Sequence, residues 1–515
     1  MKKYLPALLS IFFTTAVVAQ VPEDALRSGF LIPNGTARSM AIGGAVGSLG
    51  GDITANNVNP AGIGLFKTNE FVFTPGIGLN NNKFNYRGDA SSNKKNGFNY
   101  GATGFIFGTP SPKYSRWSST AFSISVNQLA NYNNRTFYRG RNDASSFSEQ
   151  YLEELVKDNA SPTAAEENYI FGSSLAYRTF LIDSFISAGR LGYQSQASVS
   201  RPGAEGVLQE NDITTRGGYH EISLAFAGNM NDKLYLGGSV NLPVIYYQRD
   251  QRFKESDASN NTNNNFNFFE FTENSTSRGI GINAKLGFIY KPQESIRLGL
   301  AVHTPSFISF RDNIRAAMTT DTENYTRNGV LTETSDNLNS GNAGQRDYNM
   351  STPWRVIGSA SYVFREINDT RQQRGFVSAD LEYVNYRSAR FYSSTQGDGT
   401  GVDYYRSLND KVKEYYKGAI NARLGGELKF NTLMVRAGAA YFGNPNEQNA
   451  TLKTNRIIAS GGLGYRNHGI FIDLTYAHQF VKDVNFAYRL NDKPNTFATQ
   501  TGSRGNIIAT IGFKF

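Results

Sequence analysis

The sequence predicts an all-β fold, a 14-stranded antiparallel transmembrane β-barrel, on three observations. Many segments of ten or more residues alternate apolar and polar side chains, the period of a strand whose two faces meet different surroundings. Among 515 residues, 51 are Gly, 36 Phe and 29 Tyr, and only 18% are charged, below the ~25% of an average soluble domain. Beyond the N-terminus no stretch approaches the ~20 apolar residues of a membrane helix, so strands are the only candidates for crossing a bilayer.

The first element is an export signal. Lys2 and Lys3 precede an apolar stretch, Tyr4 to Val18, and Val17-Val18-Ala19 supplies small residues for cleavage. Residues 1–19 therefore read as a signal peptide, with Gln20 first in the mature chain. The absence of Cys excludes disulfides, thiolate metal sites, Cys nucleophiles and lipid attachment through an N-terminal Cys. The net charge of +9 is spread without a dense Lys/Arg cluster, so no nucleic-acid partner is expected.

Residues 20–68 do not read as a strand. Small residues recur at Gly43, Gly44, Gly50 and Gly51, followed by Asn56-Asn57-Val58-Asn59-Pro60-Ala61. Gly and Asn permit positive φ, which suits a compact chain folded inside a lumen. Irregular backbone is tolerated at membrane depth only where protein or water surrounds it. An ordinary surface tail is the alternative.

The strands follow over 69–515, at 70–84, 97–108, 117–129, 214–229, 233–249, 266–290, 294–310, 346–365, 374–391, 416–430, 432–442, 453–466, 468–484 and 503–515. In 234–246, Leu234, Leu236, Val240, Leu242, Val244 and Tyr246 share a face opposite Ser239 and Asn241. In 422–430, Ala422, Leu424, Leu428 and Phe430 lie opposite Arg423, Glu427 and Lys429. A charged face suits a polar lumen and an apolar face suits lipid; a soluble sandwich is the alternative. Short turns such as Met230–Asp232 alternate with long polar connections, the pattern of periplasmic turns and extracellular loops. The largest connection, 130–213, contains a helical pattern at Phe147–Lys157 with Ser146 as N-cap and an apolar, helix-compatible stretch at Tyr169–Leu191. It serves either as a lid over an apolar entry site or as packing against the rim, and a further strand pair is a third reading. The last strand places Ile507, Ala509, Ile511, Phe513 and Phe515 on one face. Ending in Phe, it resembles the signal read by the barrel-assembly machinery, which makes Phe515 the expected contact.

Asn59-Pro60-Ala61 stands behind the Gly/Ala run and ahead of the first strand. In that setting the segment resembles the N-terminal hatch of the FadL/TodX family of outer-membrane hydrophobic-compound transporters. The likeness extends more weakly to Tyr219–Pro243, and to Thr352–Arg355 followed by Gly375–Tyr386. It implies a cell outer-membrane protein for passive uptake of hydrophobic small molecules such as long-chain fatty acids. Its partners would be that ligand and outer-membrane lipid. The resemblance further implies a pocket near the hatch and a sideways exit at a kinked strand three. Here Trp117–Leu129 has no Gly or Pro to mark such a kink, and the largest insertion lies in the second outer loop.

Candidate ligand or lumen residues are Phe30, Leu31, Phe66, Arg355, Arg423, Glu427 and Arg436. Arg355, Asp380, Glu382, Arg423, Glu427, Arg436, Arg456 and Asp473 fall on predicted lumen faces, either as a carboxylate-binding cluster or as interior salt bridges tying strands to the hatch. His303 also falls there, as a haem ligand or a structural imidazole. No catalytic triad, metal cluster or phosphate loop is found, so no enzyme and no cofactor are expected. A structural or adhesion barrel that binds host or matrix through its loops is the rival reading.

Overall fold

The computed structural model describes residues 22–32, 34–112, 115–198, 205–259, 261–326, 329–364, 374–394, 399–447 and 454–515. The expected signal peptide lies outside them. Fourteen antiparallel strands close into a barrel. They are β1 (Glu70–Phe73 and Pro75–Tyr86), β2 (Asp89–Tyr100 and Thr103–Pro110), β3 (Trp117–Asn131 and Asn134–Asn142), β4 (Val207–Met230), β5 (Leu234–Asp257), β6 (Phe268–Gln293) and β7 (Ile296–His303 and Phe307–Asp321). The second half comprises β8 (Gly344–Ser351 and Arg355–Phe364), β9 (Gly375–Asn385 and Arg390–Ser393), β10 (Gly418–Phe430), β11 (Leu433–Phe442), β12 (Arg456–Asn467), β13 (Ile470–Asn485) and β14 (Ala498–Lys514). Closure is made by β1 on β14, with Phe71 opposite Phe513 and Ile77 opposite Ile507.

Alternation sorts side chains as expected of a barrel in lipid. On β5, Leu236, Val240, Leu242, Val244 and Tyr246 are exposed, while Tyr235, Ser239, Asn241 and Ile245 are buried. The inside of so wide a barrel is filled by the N-terminal segment. Helices α1 (Pro22–Gly29), α2 (Ala37–Ala41) and α3 (Ala55–Val58) and a 3-10 turn, Pro60–Leu65, carry the chain down to β1. Almost every residue from 35 to 64 is buried.

The strands run further outward than their apolar faces. β4, β5 and β6 have 24, 24 and 26 residues, where ~9–11 suffice to span a bilayer. Past Tyr246 the outward side chains of β5 are Gln248, Asp250, Arg252 and Lys254, so this part stands in water. Residues 85–96, expected to be a loop, instead finish β1, turn at Arg87-Gly88 and begin β2. Both turn residues have positive φ, 51° and 100°, as a tight hairpin with right-handed twist requires.

The 130–213 insertion packs onto this outer extension. It contains the outer piece of β3, α4 (Glu149–Lys157), α5 (Pro162–Glu167), α6 (Ser173–Arg178) and a hairpin of Ile182–Ser187 with Arg190–Ser195. Phe147, Tyr151, Leu155, Leu175 and Leu181 form one buried cluster with Phe253, Phe269, Phe271, Met318 and Tyr488 of the barrel extension and the last loop. The helix expected within Tyr169–Leu191 ends at Arg178, and residues from Ile182 join the hairpin. Ser148, not Ser146, is the N-cap of α4, and its side chain makes no cap bond; the Ser146 hydroxyl instead donates to Glu255 at 2.6 Å. A further helix, α7 (Gly399–Tyr415), places Tyr405, Leu408 and Val412 against Tyr348, Phe391 and Ala25.

One seam in the wall is not closed by backbone. Thr103–Pro110 pairs with Ser119–Val126. Above it, Asp89–Tyr100 pairs with β1 and Asn134–Asn142 pairs with β4, and among the described residues no ladder joins these two edges. β3 carries a register shift at Gln128/Ala130 where the seam opens. The kink that its sequence did not mark is thus made by a β-bulge, which re-aims a strand without Gly or Pro. Side chains bridge the gap. Asn80 Nδ2 donates to Asn133 O at 2.7 Å and Asn131 Nδ2 to Phe98 O at 3.2 Å. From the N-terminal segment, Asn34 Nδ2 donates to Tyr100 O at 2.8 Å and Gln128 O at 2.9 Å.

Candidate functional site

Asn59-Pro60-Ala61 sits where the N-terminal segment meets β5 and β6. Asn59 is 1% exposed. Its amide donates to Gly47 O at 2.6 Å and Phe288 O at 3.2 Å, and its carbonyl accepts from Ala61 N at 3.2 Å. Pro60 starts the 3-10 turn, where a missing N–H costs nothing. The wall meets this motif with glycine: a methyl group on Gly237 would come within 2.6 Å of Ala61 N. Gly43, Gly44, Gly50 and Gly51 all have positive φ, 67°, 78°, 61° and 66°. At Gly43 a side chain would also strike Ala439 O at 2.7 Å, so both conformation and space exclude a larger residue.

The segment is tied to the wall by polar groups from around the barrel. Asn56 Nδ2 donates to Ser123 and Ser125 on β3, and Asn57 Nδ2 to Glu221 on β4 at 2.8 Å. Thr475 on β13 donates to Ala37 O at 2.6 Å, and Ala37 N donates to Thr510 on β14 at 2.7 Å. His303 Nε2 lies 2.8 Å from Val58 O, which gives this imidazole a structural partner.

The charged candidates form two ion-pair groups. Arg355 and Arg423 both bind Glu382, Arg355 also donates to Gly29 O at 2.5 Å, and Asp380 accepts from Gly47 N at 3.1 Å. Arg436 joins Glu427 at 2.6 Å to Asp473 at 2.5 Å, and Arg38 of α2 lies 3.5 Å from Glu427. Cross-strand register creates these pairs, with Asp380 opposite Arg423 and Glu427 opposite Arg436. Arg355 and Glu427 thus reach the segment, through Gly29 O and Arg38, while Arg423 and Arg436 pair with carboxylates of neighbouring strands, with Arg423 Nε and Arg436 Nη2 left without a hydrogen-bond partner.

A cavity of about 370 Å³ lies above the segment. Leu26, Phe30, Ile32, Met40, Leu129 and Ile458 supply its apolar wall, and Asn34, Asn80, Asn99 and Gln128 border it at the seam. Arg504 on β14 lines it too, and its Nε is buried with no hydrogen-bond partner. Toward the outside, a space of about 260 Å³ shares Glu23, Leu26, Phe30 and Arg456 with this cavity and continues past Tyr415, Tyr416, Phe486 and Arg489. Of the apolar candidates, Phe30 borders both spaces. Leu31 borders a void of only about 60 Å³ beside Lys285, Arg355 and Arg423. Phe66 packs with Ile63, Val72 and Ile106 near the opposite end. Sequence reading missed Arg504, although it shares the parity of Asn506 and Thr510 on the lumen face.

No family model and no curated protein matches the chain. Solved structures do. A FadL homologue of Pseudomonas aeruginosa aligns over 94% of this chain and 99% of its own at 15% identity, with a TM-score of 0.50. The P. putida toluene transporter TodX aligns over the same shares at 14% identity, with a TM-score of 0.51. The chain has the FadL-type fold. In this FadL-type barrel the closed ring of fourteen strands and the apolar outer belt match a bacterial outer membrane.

Proposed function

We propose that this barrel is an outer-membrane channel for passive uptake of hydrophobic small molecules, with residues 20–68 acting as a hatch inside the lumen. The observation that carries the reading is the cavity above the hatch, which reaches the unpaired seam between β2 and β3. Ligand enters past Tyr415, Tyr416 and Phe486 and settles against Leu26, Phe30, Ile32 and Met40. It leaves sideways where Asn80, Asn131 and Gln128 hold the two strand edges. Side-chain bridges are the part of the wall that yields most readily, because breaking them leaves every ladder intact. An apolar wall beside Arg504, whose Nε has no hydrogen-bond partner, suits an acid with a hydrocarbon chain, so long-chain fatty acids are the ligand class this reading favours. A volume of about 370 Å³ lies in the usual range of small-molecule sites. The two structural neighbours are a FadL homologue and a toluene transporter, which supports the hydrophobic-compound reading.

The seam supplies the test. A Cβ on Gly97 would stand 3.8 Å from Asn133 Cβ, the typical separation across a disulfide, and the chain has no Cys of its own. Gly97→Cys/Asn133→Cys should block uptake of a labelled fatty acid into liposomes when oxidised and regain it on reduction. Arg504→Gln should weaken binding of the acid more than of its methyl ester. Uptake indifferent to the cross-link would refute the lateral route, and no uptake by the wild type would favour the adhesin.

A further inference from the structure

The search beyond the lumen leads to the outer wall at the periplasmic end. A groove of about 670 Å³ opens toward lipid on β3–β6, bounded by Trp117, Phe226, Leu236 and Leu286. Two outward positions in it, Gly228 and Gly238, have no side chain and make its floor. Trp117 closes one side: a methyl on Gly228 would come within 2.5 Å of its ring. The groove starts only two or three residues from the β4–β5 turn, so it faces the periplasmic leaflet.

The rim below it is basic. Three connections and the end of the N-terminal segment meet here. Asn231 N donates to Arg116 O at 3.1 Å, and Lys291 N donates to Lys233 O at 2.8 Å. Lys67 reaches Asp232 at 3.2 Å. Among the described residues of this rim, Lys67, Arg116 and Lys233 stand with two carboxylates, Asp232 and Glu294. Asp232 is already engaged by Lys67 and by Asn229 at 2.6 Å, and it also feels Lys291. Arg116 and Lys233 are exposed.

We propose that this groove and rim form a binding site for one anionic phospholipid of the periplasmic leaflet. An acyl chain fills the apolar groove, and the phosphate meets the exposed Arg116 and Lys233. Both halves are required. Apolar surface alone takes any lipid tail, while a net positive rim at the headgroup level selects a headgroup without a compensating ammonium. On its inner side the same wall carries Gly237 and Gly287, the glycines that admit Asn59-Pro60-Ala61, so a bound lipid lies one backbone thickness from that motif.

The full-length protein in nanodiscs of phosphatidylethanolamine with phosphatidylglycerol, released into mild detergent, tests this by native mass spectrometry. Wild type should retain one phosphatidylglycerol in preference to phosphatidylethanolamine. Gly238→Leu has room, since a Cβ there meets Leu286 at 3.4 Å, and should fill the groove and abolish retention. Arg116→Gln/Lys233→Gln should keep the barrel heat-modifiable and cut the preference by roughly tenfold or more. Equal retention of both lipids by wild type, or unchanged retention in both variants, would overturn the site. So would loss of fatty-acid uptake in Gly238→Leu with lipid retention intact, because the groove would then be an exit for ligand.

Discussion

Replacing Asn59 by Leu isolates the energetics of the hatch. The side chain serves three backbone groups, Gly47 O, Phe288 O and Ala61 N, and is buried. Leu keeps the branching at Cγ and removes every polar atom. Ala61 N and Gly47 O then lose the partner the structure gives them, each at a cost of ~1–3 kcal/mol for a buried unpaired group. A combined loss of about 3 kcal/mol raises the displaced population of the hatch by roughly a hundredfold. No barrel ladder uses these groups, so assembly should be normal. The expected result is a heat-modifiable barrel with higher single-channel conductance in planar bilayers and altered fatty-acid uptake. The reasoning fails if Asn59→Leu and deletion of residues 36–58 both show wild-type conductance and uptake.

Two further outcomes are expected. Glu255, on the part of β5 that stands above the membrane, is buried where α4 begins. Burial pushes its carboxyl up to about 7, against the donors Phe147 N, Ser146 and Gln209 and with Glu149 adding repulsion. A raised folded value means stability that is full below the unfolded value of about 4.5 and is lost as pH rises through about 7, a change of about 3 kcal/mol at most. Amide exchange of 147–157, corrected for intrinsic rates, should quicken between pH 5 and 8 and lose that dependence in Glu255→Gln; a flat wild-type profile would count against it. Deleting Phe515, whose side chain is 65% exposed and whose N–H donates to Asn69 O at 3.1 Å, should lower the yield of assembled barrel in cells, and an unchanged yield would remove its role as the assembly signal.

What could be read from the sequence follows from where water and lipid sit. Within the membrane the two faces of a strand differ sharply, so Leu236, Val240 and Leu242 announce β5. Above it the outward face turns polar, with Asp250 and Arg252, and the inward face is mixed, with Gln251, Phe253 and Glu255 buried. Alternation disappears there, and residues 85–96 and 250–257 looked like loops although they are strand. Helix α7 was hidden by Gly399, Gly401 and a polar composition. Its buried residues Tyr405, Leu408 and Val412 do recur at helical spacing, and that was the available signal. The lumen charges were legible as a set, since parity places Arg423, Glu427, Arg436 and Asp473 inward. Their pairing was not, because it depends on register between strands. For the same reason the sequence does not tell which groups Asn59 meets, which are the backbone of Gly47, Ala61 and Phe288.

How the N-terminal segment is held bears on how it would move as the proposed hatch. Its grip on β3, β4, β13 and β14 is made of short polar contacts from Asn56, Asn57 and the Ala37 backbone, and on the wall glycines it is made by close approach. Each such hydrogen bond is worth only ~0.5–1.5 kcal/mol net, because water entering the lumen replaces it. Phe66 differs. It is buried with Ile63, Val72 and Ile106, and withdrawing a large apolar side chain costs ~1.5–3 kcal/mol with nothing to replace it. Along α1 and α2, beneath the cavity, the segment is held by Arg355 on Gly29 O, by Arg38 beside Glu427 and by the packing of Ala37 and Met40 on Phe442. Phe30, just after α1, and Met40 of α2 line that cavity, so a ligand that displaces them acts on this end of the segment. Movement that starts at α1 and α2 frees Asn34 from Tyr100 and Gln128, which are the carbonyl groups of the seam. On the proposed function, occupation of the cavity and loosening of the seam are coupled through Asn34, and Asn34→Ala should open the seam without ligand, seen as slower cysteine cross-linking between positions 97 and 133, which lie within disulfide reach across the closed seam; unchanged cross-linking would break the coupling.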